Sequence, residues 1–162
     1  MPLTPTRVEN LAKFTAEQAH AIVEIQQLIN DWGYELDMFN GKNMADLVTE
    51  DCSYVVRGEA RNGRAAVVRF YADRLAQLAG TPGGVPTHRH ALSNLRVSFS
   101  SADEASITFS LTYFSTLGVA AGTDHADPAS YADVRMVCRR DADGHWRIGK
   151  FDSTPVFRRV SK

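Results

Sequence analysis

The chain has 162 residues, 44% apolar and 23% charged, which is the composition of one ordinary globular domain large enough to bury a core. Its 18 basic and 19 acidic side chains leave a formal charge of −1, too weak a field to gather nucleic-acid backbone or anionic lipid. The two cysteines, Cys52 and Cys138, sit far apart without a C-x-x-C frame, and no run has the length of a membrane span or the pattern of a signal core; the expectation is reduced thiols in a cytoplasmic protein without membrane or nucleic-acid partners.

Residues 1–15 carry two prolines and mixed polarity, which predicts a loose N-terminal arm with a short helical turn around Val8 to Phe14. Thr15 reads as an N-cap, with Gln18 completing a capping box, and Ile22, Ile25, Ile29, Trp32 and Leu36 then recur at steps of three and four. That is an amphipathic helix. Tyr34 and Asp37, three apart, share a second stripe beside the apolar one, so a carboxylate stands at the edge of the core. Asn40 to Asn43 breaks the helix, and Met44 to Val48 forms a short second one. Cys52 to Arg57 reads as a strand, Gly58 to Gly63 as its turn, and Arg64 to Ala79 as a third helix ended by Gly80 to Gly84.

Beyond that loop the period changes from 3.6 to 2. Strands are expected at His88–Ser100, Glu104–Gly118, Ser130–Arg140 and His145–Phe157, with a flexible loop from Ala120 to Pro128. Helices first and long neighbouring strands afterwards predict an α+β domain, an antiparallel sheet curled over helices. It spans residues 16–157, with 158–162 as a tail.

His88 and His90 are two apart, so on a regular strand they and Asn94 point to one face. Spacing alone does not separate a pocket-lining pair from a loop histidine beside a hydrogen-bonded structural one. Asp37, near a helix C-terminus, is unfavourably placed for the helix dipole, which invites a partner without naming it. An H-x-H pair also opens some metal sites, but His125, Asp124 and Asp127 offer further ligands only from the presumed loop, so no metal is expected. G-x-S-x-G, G-x-G-x-x-G and P-loop patterns are all absent, which removes the usual signals of a serine nucleophile, a dinucleotide or a nucleoside triphosphate.

The segments Trp32 to Asp37, His90 to Val97 and Arg140 to Ile148, in this order of elements, resemble the SnoaL-like branch of the NTF2-like superfamily over about residues 16–157. Within it the pattern is similar to that of scytalone dehydratases and hexachlorocyclohexane dehydrochlorinases, which carry an aspartate late in the first helix and a histidine opening a strand; here those positions are Asp37 and His90. The resemblance implies a cone of three N-terminal helices on a strongly curved mixed sheet, enclosing an apolar pocket with Asp37 and His90 facing each other across it. It further implies a cofactor-independent lyase that removes a proton and expels water, halide or another small fragment from a hydrophobic, aromatic or polycyclic small molecule. Tyr34, Tyr54, His88, Asn94 and Arg135 are the expected substrate-binding residues, and association into a homodimer or homotrimer is expected by analogy. Leu36 stands where the dehydratase pattern has a tyrosine, and the dehydrochlorinase lysine and cysteine near Trp32 and His88 are missing, so the dyad carries over and the leaving-group apparatus does not. The alternatives on this fold are a non-catalytic subunit resembling a ring-hydroxylating dioxygenase β subunit, an isomerase or cyclase, and a ligand carrier.

Overall fold

The computed structural model describes residues 13–116 and 127–158. Helix α1 (Ala16–Phe39) begins at the Thr15/Gln18 capping box and ends at Asn40, which turns left-handed at φ 57°. Its buried stripe is Ala21, Ile25, Leu28, Ile29, Trp32 and Leu36, close to the expected one, with Ile22 half-buried. Glu35 on the same helix is buried as well. It accepts hydrogen bonds from the Asn43 backbone and side-chain N–H groups, tying α1 to the turn before α2 (Met44–Leu47). In that turn Gly41 sits at φ +80°, and a Cβ there would lie 2.5 Å from the Tyr71 ring, so the position requires glycine on two counts.

Strand β1 (Val48–Val56) starts earlier than its β-branched run indicates, and β2 (Glu59–Asn62) occupies residues read from the sequence as turn. The hairpin loop is Arg57-Gly58, both at positive φ. This primed-turn geometry usually advertises itself as Asn-Gly or Asp-Gly, and arginine in the first position hides it. Helix α3 (Arg64–Ala79) then leads to β3 (His88–Phe99), β4 (Glu104–Ser115), β5 (Pro128–Arg140) and β6 (Trp146–Arg158), all within a few residues of expectation. The predicted helical turn near Val8 and most of the Ala120–Pro128 loop lie outside the described residues.

The six strands form one open sheet in the order β2-β1-β6-β5-β4-β3. Pairing is antiparallel except between β1 and β6, which run parallel, so the sheet is mixed, against the all-antiparallel sheet that periodicity indicates. Alternation reports which face a residue occupies and carries no information on the direction of the neighbouring strand. The three helices pack on this sheet as the resemblance implies. The core joins the α1 stripe to Tyr54, Ile107, Phe109, Val134, Met136, Ile148 and Phe151 of the sheet. Among the described residues no helix is long and apolar enough to cross a membrane.

Candidate active site

Asp37 lies in the last turn of α1, and α1 packs across the start of β3. The Asp37 carboxylate accepts the His90 backbone N–H at 3.1 and 3.0 Å from its two oxygens, and its Oδ1 lies 2.6 Å from His90 Nδ1. The unfavourable placement against the helix dipole is thus offset by two donors from a neighbouring strand. Both side chains are nearly enclosed, with 8% of His90 and 11% of Asp37 exposed. Because Nδ1–H donates to the Asp37 carboxylate, the tautomer leaves a lone pair on Nε2, which makes no hydrogen bond to any described residue. Burial holds the His90 pKa below its usual value of 6.5, and His88 and Arg74 push the same way, while the hydrogen bond and charge of Asp37 oppose them. The ring is neutral near pH 7 and carries a free lone pair, the state a general base needs.

His88 faces inward with His90 but is tied differently. Its Nε2–H donates to the Leu36 carbonyl at 2.8 Å, satisfying one of the unpaired carbonyls at the end of α1. That bond fixes the other tautomer. Nδ1 of His88 is therefore an acceptor, and it is buried without a partner among the described residues. Around the two histidines stand the Trp32 ring, edge-on to His90 at 5.9 Å, and the Tyr113 ring, 4.9 Å from His90 and 6.0 Å from His88.

The other expected substrate contacts are placed elsewhere. Asn94 does not share the histidine face: β3 advances three residues from Ser93 to Arg96 while β4 advances two, and the extra residue is a β-bulge with Asn94 at φ 58° and exposed. Tyr34 is 59% exposed on the outer side of α1, against Phe39. Arg135 is exposed on β5, alternating with the buried Val134 and Met136, so it lies on the outer face. Tyr54 points inward and is wholly buried, but its hydroxyl is already engaged: it accepts the Trp32 indole N–H at 2.9 Å and contacts the Tyr71 hydroxyl at 2.6 Å. Burial raises the Tyr54 pKa well above its usual value and the Tyr71 pKa to about 12, so both phenols stay protonated. Tyr54→Phe should cost about 1–3 kcal/mol, because it strands a buried indole donor and the Tyr71 hydroxyl. An unchanged urea midpoint would show that this network does not stabilise the core.

Sequence spacing missed Tyr113 and Arg74. Tyr113 is the direct cross-strand partner of His90, and Arg74 Nη2 on α3 donates to its hydroxyl at 3.3 Å. The turn Ser101-Ala102-Asp103 by itself would set Phe114 opposite His90; the bulge at Asn94 shifts the register by one and brings Tyr113 there instead.

Two clefts lined by described residues lie away from the dyad. One, of about 490 Å³, lies between the start of α1 and the β3–β4 turn, and the other, of about 430 Å³, lies where β5 begins and β6 ends, near Tyr131 and Phe157; neither includes Asp37 or His90. Among the described residues no three His, Cys, Asp or Glu side chains are grouped to hold a metal ion, and His125 and Asp124 lie outside them.

Several solved structures share this architecture at identities that speak for the fold alone. A protein described as a candidate scytalone dehydratase from Novosphingobium aromaticivorans superposes with a TM-score of 0.71 at 19% identity, over 89% of this chain and 89% of that one. A hexachlorocyclohexane dehydrochlorinase superposes with a TM-score of 0.69 at 17% identity, over 87% and 88%. A cystatin-like-fold protein of unknown function from Nostoc punctiforme gives 0.67 at 19% identity, over 89% and 95%. No match was found among curated proteins. The SnoaL-like domain model matches residues 17–152, which takes in all three helices and most of the sheet, so the chain belongs to the SnoaL-like family of the NTF2-like superfamily.

Proposed function

We propose that this chain is a lyase in which His90 removes a carbon-bound proton from a hydrophobic, aromatic or polycyclic small molecule and a small fragment is then expelled. The observation that carries this reading is the 2.6 Å contact between Asp37 Oδ1 and His90 Nδ1, in an environment that keeps the imidazole neutral. Asp37 orients the ring and stabilises the imidazolium that forms as the proton arrives. Burial acts first on the resting state, by keeping Nε2 unprotonated. Positioned proton transfer of this kind contributes about 10²–10⁴-fold, with the remainder supplied by orientation and by fixed dipoles around a dry site. Trp32, Leu92 and the Tyr113 ring make the surroundings suited to an apolar substrate. Such an elimination needs only proton transfer, so no organic cofactor enters the reading.

A ligand carrier or an assembly subunit needs an anchor between α1 and β3 but has no use for a buried neutral imidazole that keeps a basic nitrogen free of described partners. The test is exchange of carbon-bound hydrogen. The folded protein in D₂O should catalyse deuterium incorporation next to the carbonyl of benzylacetone and related aryl ketones, followed by NMR. Exchange no faster than buffer across that series would overturn the assignment of His90 as a carbon base.

A further inference from the structure

Strand β3 meets the core with opposite parity in its two halves. His88, His90 and Leu92 are turned inward before Asn94, and Leu95, Val97 and Phe99 after it, which an unbroken strand of period 2 cannot do. The opposite strand is regular, with Ala105, Ile107, Phe109 and Leu111 all buried, so the break belongs to β3. Asn94 and Leu95 share the place opposite Phe109, and Asn94 takes the left-handed conformation at φ 58°. Its side chain is exposed and makes no hydrogen bond to a described residue, so what it supplies is the shape of its backbone. Asparagine is among the residues with a side chain that take this shape most readily.

The two halves of β3 also stand at different distances from α1. The first half is in contact with the helix: a Cβ on Gly33 would lie 3.5 Å from the Leu92 side chain, His88 Nε2–H donates to the Leu36 carbonyl at 2.8 Å, and His90 Nδ1 lies 2.6 Å from Asp37 Oδ1. Past Asn94 the two elements separate. The cleft of about 490 Å³ opens there, between Thr15, Gln18 and Ala21 on one side and residues 99–103 on the other. Helix α1 runs unbroken for 24 residues, whereas β3 is an edge strand with no neighbour on its outer side, so β3 is the element free to bend. A bulge bends its strand and increases the local twist, and this one sits where strand and helix part.

We infer that Asn94 is a positioning residue for the Asp37 and His90 pair: its bulge bends β3 so that the first half of the strand reaches the end of α1. It acts through His90 and touches no reacting group. This rests on the proposed reading of His90 as a base, but the contact at stake, between Asp37 Oδ1 and His90 Nδ1, can be followed without turnover. A misplacement of about 1 Å in such a pair costs about 10²-fold in rate. A bulge that served only to blunt an open sheet edge would leave the contact unchanged when removed.

The experiment follows two properties of the full chain: the low-field proton NMR signal of His90 Nδ1–H, which its hydrogen bond to a carboxylate shifts downfield, and deuterium exchange into benzylacetone. Deleting Asn94 removes the extra residue and keeps the cross-strand partners on either side, so His88 and His90 still face inward. The deletion variant should fold, lose the low-field signal and exchange about 10²-fold more slowly. Asn94→Gly, which keeps the left-handed turn, should retain the signal and exchange within about twofold of wild type. A deletion variant that keeps the signal or the rate, or an Asn94→Gly protein that loses either, overturns the inference, as does a wild-type protein without the signal. Where the deletion prevents folding, Asn94→Val decides, because a β-branched side chain strains the turn without removing it: exchange per folded molecule should fall at least about threefold below that of Asn94→Gly, and equal values overturn the inference. If wild-type protein shows the signal and no exchange, the base reading fails, and the signal alone then decides the role of Asn94.

Discussion

His90→Ala should reduce exchange and elimination by at least about 10²–10⁴-fold, down to whatever orientation in the site alone provides. The size of the effect follows from the geometry. No other described imidazole has a lone pair in the same position: His88 has Nε2 tied to the Leu36 carbonyl and its acceptor on the opposite nitrogen. Alanine removes one of the donors to Asp37 and leaves the backbone N–H of residue 90 still bonded to the carboxylate, so the variant retains part of the anchor between α1 and β3. His90→Gln is the companion variant. Its carboxamide can still donate to Asp37, which preserves the packing, but offers no basic nitrogen, so it should be as inactive as alanine while denaturing at a midpoint closer to wild type. A His90→Ala protein with undiminished exchange would sink the proposed mechanism outright.

How much of this was legible in the sequence depends on which physical signal each residue carries. The helix that presents Asp37 was fully written: the capping box, the apolar period and the Asn40-Gly41 stop each correspond to a local hydrogen bond or backbone conformation. The pairing of Asp37 with His90 was not, because it joins residues 53 apart in the chain, and only the family resemblance placed them together. Asn94 shows the limit of strand periodicity. A single αL residue shifts the parity of everything after it, and asparagine adopts that conformation at little cost, so one β-bulge turned an expected pocket residue out to solvent. Tyr54 and Arg135 failed for a simpler reason, since alternation on a strand gives two faces and says nothing about which one meets the core or which inward hydroxyl is already bonded. The parallel β1–β6 pair and the register that sets Tyr113 against His90 are likewise products of long-range assembly.

Asp37→Asn should lower turnover by about 10²–10⁴-fold while leaving the fold standing, for a reason distinct from the loss of the base. Asparagine is close to aspartate in shape, and its carbonyl can accept the His90 backbone N–H in place of the carboxylate. The amide NH₂ then faces Nδ1 and donates to it, which moves the imidazole proton to Nε2 and removes the lone pair from the substrate side. The pH dependence separates this from a packing defect. In the wild-type protein burial depresses the His90 pKa below 6.5, and Asp37 partly restores it. The neutral ring is the active form, so activity is present above the folded-state pKa and lost as pH falls through it, with a midpoint below 6.5. Stability follows the same sign: between the two pKa values the unfolded chain binds more protons than the folded one, so the His90 contribution is present above about pH 6.5 and lost as pH falls through the lower, folded value. Removing Asp37 takes away the opposing influence, and the His90 titration should move further down. NMR titration of the His90 ring, which needs no substrate, reads that shift directly; a midpoint that rises in Asp37→Asn would mean that Asp37 does not hold the His90 pKa up against burial.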